Sequence, residues 1–442
     1  MDGQANITEF TDGTEKSNEP ETVRLKHLAR INPTKSELSD LDPKTDVSFV
    51  PLEDFGTDGE IKDTETRPLE EVYDGYTYFR EGDIAIAKIT PSFENGKGAI
   101  CRGLENGIGF GTTELHILRP REGVSTEFLW YVLRSKPFMD EAVTAMRGVA
   151  GQKRVPSSFI ENFEIPQIRY DLQQRKAARL DKKISNIYQA IAVGNQLKDL
   201  LQQKRLSKIW EEITCSNGSE GQIQTDIPWL GKIPKSWDVA KVGWYYDIQL
   251  GKMLDAAEIS GEHLAPYLRN QDVHWWDINT EELPKMDFTE DERNLYQLEQ
   301  GDVLVCEGGF GCGESAVWRQ DTEGVYYQKA LHRVRANDGN QIPEFFCYFM
   351  EFAVKTGIFS ANSNQSTIDH ITVEKLSNQK MPIPPKRDQQ EIVNRLSKMS
   401  TEVNSSISTI NNLLSKLSEM RESVITAEIT NQIDVSEAKH GG

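Results

Sequence analysis

No stretch of this chain approaches the run of about eighteen apolar residues that a membrane-crossing helix needs. The first 21 residues, "MDGQANITEFTDGTEKSNEPE", hold six acidic residues, one lysine and no apolar core, which fits neither a signal nor a transit peptide. A disordered acidic tail and a cytoplasmic location are the expectation. Cysteine is scarce as well: Cys101, Cys215, Cys306, Cys312 and Cys347 are odd in number and scattered. Only Cys306 and Cys312 lie close, with no histidine near enough to complete a zinc site, so free structural thiols are expected.

Catalytic signatures are missing too. The chain has no G-x-x-x-x-G-K-[ST], no G-x-S-x-G, no H-E-x-x-H and no Asp/Asn-Pro-Pro-aromatic tetrapeptide. The glycine-rich "GGFGCGES" beginning at Gly308 reads as a hairpin turn rather than a phosphate cradle. Seven histidines stand singly; of these, His116 and His332 read first as packed, hydrogen-bonded core histidines and second as functional groups. Basic charge is in deficit, 50 Lys and Arg against 69 Asp and Glu, for a net −19. Taken alone, that deficit argues against a nucleic-acid partner, because phosphate binding is driven by Lys and Arg. Local composition differs, since Arg175 to Lys208 carries nine basic residues against two acidic ones.

What the sequence does have is a repeat. "EGDIAIAKI" from Glu81 matches "QGDVLVCEG" from Gln300, and "NGKGAI" from Asn95 matches "CGESAV" from Cys312. "TELHILRP" from Thr113 matches "KALHRVRA" from Lys329, and "FLWYVL" from Phe128 matches "FFCYFM" from Phe345. "QRKAARL" ending at Leu180 matches "QEIVNRL" ending at Leu396. The offsets run from 216 to 219 in unbroken order, so a unit of about 217 residues occurs twice. Each copy opens with strand-like alternation and short helices between Gly/Asn/Asp turns. Each ends in a proline break followed by an apolar stripe at spacings of three and four. The stripes are Leu180, Ile184, Ile187, Ile191, Gly194, Leu197, Leu201 and Leu396, Val403, Ile407, Ile410, Leu413, Leu417, Met420, Val424. They predict two helices of about 40 residues, each a rod of about 60 Å, paired antiparallel as a coiled coil. The competing reading packs each helix into a separate core. Leu200, Leu206, Ile392, Leu414 and Ile425 fall outside the seam and are expected at a surface that partners cover.

These segments, with "GDIAIAKITPSFENGKGAI", "AGQKRV" before "IPQIRYDLQQRKAARLD", "IPWLGKIPKSWDVAKV", "QSTIDHIT" before "MPIPPKRDQQEIV" and "LSEMRESVITAEITNQIDV", resemble the specificity subunit of type I restriction–modification systems. The likeness covers about Val23 to Val435. It implies an α+β fold: two mixed, mostly β target-recognition domains separated by two long helices in an antiparallel coiled coil, with pseudo-two-fold symmetry from the tandem duplication. The domain map places an acidic tail at 1–22, recognition domains at 23–168 and 227–385, and long helices at 169–214 and 386–430, with a linker at 215–226 and a tail at 431–442. The resemblance further implies a non-catalytic subunit that reads a bipartite, asymmetric duplex DNA target. Two methyltransferase subunits and motor-nuclease restriction subunits would dock on it and would hold S-adenosylmethionine, ATP and Mg; this chain would bind no cofactor, metal or membrane. An acidic DNA mimic of the anti-restriction type, or another coiled-coil interaction protein, is the alternative. A single-chain methyltransferase–nuclease is disfavoured by the missing motifs.

Candidate DNA-binding residues are polar and cationic groups in loops. Gln152, Lys153 and Arg154, and in the second copy Gln365, Ser366, Thr367 and His370, lie in the same polar loop before each long helix and suit phosphate contacts. Lys88, Lys97, Arg269, Asn270 and Gln271 lie in stretches that suit sequence choice, and Lys329 is a further DNA-binding candidate. The competing reading is that these side chains cap turns and helices.

Overall fold

The computed structural model of the chain describes residues 21–149, 151–214, 221–254, 261–309, 311–321, 323–359 and 370–430. It divides into two compact units, Met1–Asn195 with Asn411–Gly442 and Gln196–Ile410. The residues Gln365, Ser366 and Thr367 lie outside the described ones.

The repeat is a repeat of topology. In unit 1 a four-stranded antiparallel sheet runs in the order Ala29–Ile31, Leu115–Pro120, Ile84–Ala87, Gly98–Ile100. Unit 2 builds the same order from Tyr246–Leu250, Leu331–Ala336, Val303–Cys306 and Ser315–Val317. The runs "IAIA" and "VLVC" are buried on every residue, as continuous apolar strands in a two-sided core should be. In the hairpins that follow, Gly96 and Gly313 hold equivalent positive φ angles of 71° and 84°, which supports the turn reading. A second sheet in each unit contains one parallel pair, Asp46–Val50 with Ile108–Gly111 and Leu264–Leu268 with Tyr326–Tyr327. Unit 1 adds the strand Thr77–Arg80 to this sheet, whereas unit 2 has the helix Glu290–Tyr296 in the corresponding region. "TEFLWYV" ends as a helix at Val132 and a new one starts at Lys136, with Pro137 in its first turn. Unit 2 has no proline there, and Pro343–Lys355 runs on as one helix.

Short antiparallel pairs close each unit, Thr22–Arg24 with Glu164–Pro166 and Asp238–Lys241 with Lys380–Ile383. The prolines that stop these strands lead straight into the long helices, Tyr170–Thr214 and Lys386–Ile429. A buried glutamine fixes each exit. The Gln173 amide donates to the Ile168 carbonyl at 3.0 Å and accepts from the Ser125 N–H at 2.9 Å. Gln389 repeats this on the Pro384 carbonyl at 2.7 Å and the Ile342 N–H at 2.9 Å.

Both units pair the long helices antiparallel. In unit 1 the Lys176 ammonium lies 3.6 Å from the Glu428 carboxylate, and Arg421 lies over the Tyr188 ring. In unit 2 the Arg205 Nε is 3.3 Å from the Ser400 hydroxyl, and Arg395 is 2.8 Å from Glu212. Arg205 also meets the buried Glu351, which accepts from the Trp276 indole at 2.9 Å and from Lys355 at 2.7 Å.

The stripes are only partly covered. Leu180, Ile184, Ile187, Leu396, Val403 and Ile410 are buried, but Leu197, Leu413 and Met420 are 45–55 % exposed. A two-helix seam shields one side, and burial is fullest where a stripe also meets its own unit's sheets and short helices. The same packing corrects the expected partner surface. Ile392 and Ile425 are 2 % and 1 % exposed inside the cores of units 2 and 1, and Leu206 and Leu414 are half-buried. Leu200 is exposed as expected. Among the described residues, no helix is long and apolar enough to cross a membrane.

Candidate nucleic-acid interface

Two loops chosen separately from the sequence meet in unit 1. The strand Ile84–Ala87 continues through Lys88, whose carbonyl accepts from the Val155 N–H at 2.9 Å. The Thr90 N–H donates to the Lys153 carbonyl at 3.0 Å, and Arg154 exchanges backbone bonds with Arg147 at 2.8 and 3.0 Å. This seam places Lys88, Arg147, Lys153 and Arg154 side by side. Gln152, Lys153 and Arg154 are exposed, and Lys88 is half-buried. Lys88 also lines a neighbouring cleft of about 600 Å³ with Lys35, Tyr76, Thr113 and Ser157.

Glu114 sits among these cations. Its two carboxylate oxygens accept from the Arg154 Nε and Nη2 at 2.9 and 2.8 Å, and the Lys88 N–H donates to its backbone carbonyl at 2.9 Å. The Arg154 hydrogen bonds hold the Glu114 carboxyl below its ordinary value, with smaller contributions from the Arg154 and Lys88 charges. Arg154 is therefore not the free cation that its loop position suggests.

Unit 2 gathers different chemistry in the equivalent place. The Glu307 N–H donates to Ala330 at 2.8 Å, the Ile371 N–H donates to Glu307 at 2.7 Å, and Gly308 bridges His370. The Asn270 amide donates to the Gly308 carbonyl at 3.2 Å, so Asn270 and His370 meet around that glycine. Exposed Lys329 flanks the cluster beside Ala330. Arg269 is held by Asp272 through a fork of 2.9 and 2.8 Å. Lys97 takes no part in the unit 1 seam; its ammonium bonds the Leu52 and Glu53 carbonyls at 3.3 Å.

Glu114 and Arg147 escaped the sequence reading. The signal for Glu114 was available, because "TELHILRP" and "KALHRVRA" set it opposite Ala330. His116 and His332 are core histidines as expected, their Nε2 atoms bonded to the Val155 and Ile371 carbonyls at 2.8 and 2.7 Å. Among the described residues no group of three or more His, Cys, Asp and Glu side chains is placed to hold a metal.

Comparison with known proteins agrees with this architecture. Residues 234–416 match the type I restriction modification DNA specificity domain family. The chain is 47 % identical over 152 residues to the Escherichia coli type I restriction enzyme EcoEI specificity subunit, a stretch covering 33 % of this chain and 24 % of that protein. It is 40 % identical over 230 residues to the Escherichia coli EcoAI specificity subunit, covering 51 % of this chain and 36 % of that one. The matches thus span about a third or less of the length of these curated relatives. A chain from a solved structure described as the structural basis underlying complex assembly and conformational transition of the type I R-M system has the same fold. Its TM-score is 0.70 at 17 % identity, over 93 % of this chain and 98 % of that chain. Residues 234–416 are thus similar to the type I restriction modification DNA specificity domain family, and parts of the chain are similar to specificity subunits of type I restriction enzymes.

Proposed function

We propose that this chain is the DNA-recognition subunit of a type I restriction–modification complex and reads a bipartite, asymmetric target, one half-site per unit. The observation that carries the reading is duplication of the scaffold with divergence of its surface. The sheets, the buried histidines and the helix-anchoring glutamines repeat at offsets of 216 to 219, whereas Lys88, Glu114 and Arg154 become Glu307, Ala330 and His370. One framework presenting two chemistries suits two different half-sites on duplex DNA.

Phosphate contacts fall to Lys88, Lys153 and Gln152 in unit 1; Asn270, Gln271, Lys329 and His370 are the polar groups of unit 2. The chain itself does no covalent chemistry in this reading. Methyltransferase subunits held along the long helices supply S-adenosylmethionine, and restriction subunits supply ATP- and Mg-dependent translocation and cleavage. Methylome sequencing of cells expressing the chain with its methyltransferase partner tests the proposal. Two different short half-sites separated by an unread spacer of about 5–8 base pairs are expected, because readers on one face of B-DNA are set about one helical turn apart. A continuous motif without a spacer would overturn the two-reader model.

A further inference from the structure

We infer that Glu114 is a built-in stand-in for a DNA phosphate, seated among the cations of the unit 1 seam and lowering their affinity for DNA of any sequence. The inference rests on the DNA-binding reading above and gives a role to an acid which that reading leaves unexplained.

The geometry is that of a phosphate site already filled. Arg154 presents two parallel N–H groups, and the Glu114 oxygens take both at 2.9 and 2.8 Å, the fork that phosphate oxygens also accept. Lys88 adjoins through its backbone, its N–H on the Glu114 carbonyl at 2.9 Å, and exposed Lys153 precedes Arg154 in the chain. The pair is open to water, the Arg154 and Glu114 side chains being 43 % and 26 % exposed, so an incoming phosphate can reach the guanidinium. An exposed pair of this kind adds little to stability.

The second copy serves as an internal control. There Ala330 replaces Glu114, yet the following strand begins in the same register, with Leu331 buried as Leu115 is. The strand therefore folds without the acid. The arginine is also absent from that copy, where His370 stands in its place and Glu307 replaces Lys88. The acid stands where Lys88 and Arg154 stand and is absent where Glu307 and His370 replace them, as expected of a group that tunes their charge rather than one that supports the sheet.

The test uses the full chain assembled with its methyltransferase subunits, with binding to a random-sequence duplex followed across a salt series. Glu114→Gln should bind roughly two- to fivefold tighter, the range that an exposed ion pair spans. Its slope of log affinity against log salt should steepen by about 0.9, one further phosphate contact. Arg154→Ala, which leaves the acid facing the backbone, should bind more weakly, and Glu114→Gln with Arg154→Ala should return towards wild type. Wild-type affinity and slope in Glu114→Gln, or weaker binding, would overturn the inference while leaving DNA recognition intact. Loss of the cooperative thermal transition in Glu114→Gln would overturn it too, by making the acid structural. A wild-type complex that binds no duplex would overturn the functional reading along with it.

Discussion

At the scale of single residues, the two buried histidines make folding sensitive to pH. Burial lowers the His116 and His332 values below the ordinary 6.5, against the smaller opposing effect of their bonds to the Val155 and Ile371 carbonyls. Asn32 fixes the His116 tautomer by donating to Nδ1 at 3.2 Å, which leaves Nε2 to carry the proton. The unfolded chain takes up these protons near pH 6.5, and the folded chain only at lower pH. The unfolded state thus binds more protons in that window, so stability is full above about 6.5 and declines as the pH falls below it. Each histidine contributes a slope of at most about 1.4 kcal/mol per pH unit. Thermal melting from pH 8 down to 5 should show a flat region and then a falling midpoint, with a shallower fall in His332→Gln. A midpoint that rises on acidification to pH 5.5 would contradict this assignment.

At the scale of elements, one glutamine holds each long helix to its own unit. Gln389 is fully buried, and its amide satisfies the Ile342 N–H and the Pro384 carbonyl together while also meeting the Gln341 side chain at 3.0 Å. Gln389→Ala leaves those groups unpaired away from water and should cost about 2–4 kcal/mol. Gln389→Glu keeps the acceptor and loses the donor, but buries a carboxyl. Urea denaturation followed by Trp fluorescence should register both losses, and an alanine variant as stable as wild type would remove the glutamine's anchoring role. The repeat made this element readable only in outline. "QRKAARL" and "QEIVNRL" align the helices, but nothing in either string says that a glutamine upstream reaches across to Ser125 or Ile342. Those contacts span 48 and 47 residues and exist only once the sheet has closed.

At the scale of the whole molecule, the net −19 and the basic seam stop being in conflict. Charge is local at physiological ionic strength, where the Debye length is about 8 Å. A cluster of Lys88, Arg147, Lys153 and Arg154 can engage phosphates on a chain that is acidic overall. In the proposed reading the long helices set the distance between half-sites. Insertion of one heptad into both helices keeps the apolar period and lengthens each by about 10.5 Å. Methylome mapping should then show a longer spacer with both half-sites unchanged. An unchanged spacer would mean that the helices do not set it.

The duplication, the strand-rich composition of each copy and the places of the two long helices were determined by the sequence itself. All three depend on properties local to the chain: residue period, proline positions and a repeated order of motifs. Which polar side chains remain available was decided by the tertiary structure. Arg154 looked free until Glu114, 40 positions earlier, was brought to 2.8 Å. Lys97 was drawn to the Leu52 and Glu53 carbonyls, and Asp272 took the fork of Arg269. Ile392 and Ile425 went inside because the domains, and not only the partner helix, pack on the long helices beyond their stripes. Charge compensation and burial depend on distance through space, which the spacing of residues along a chain does not fix.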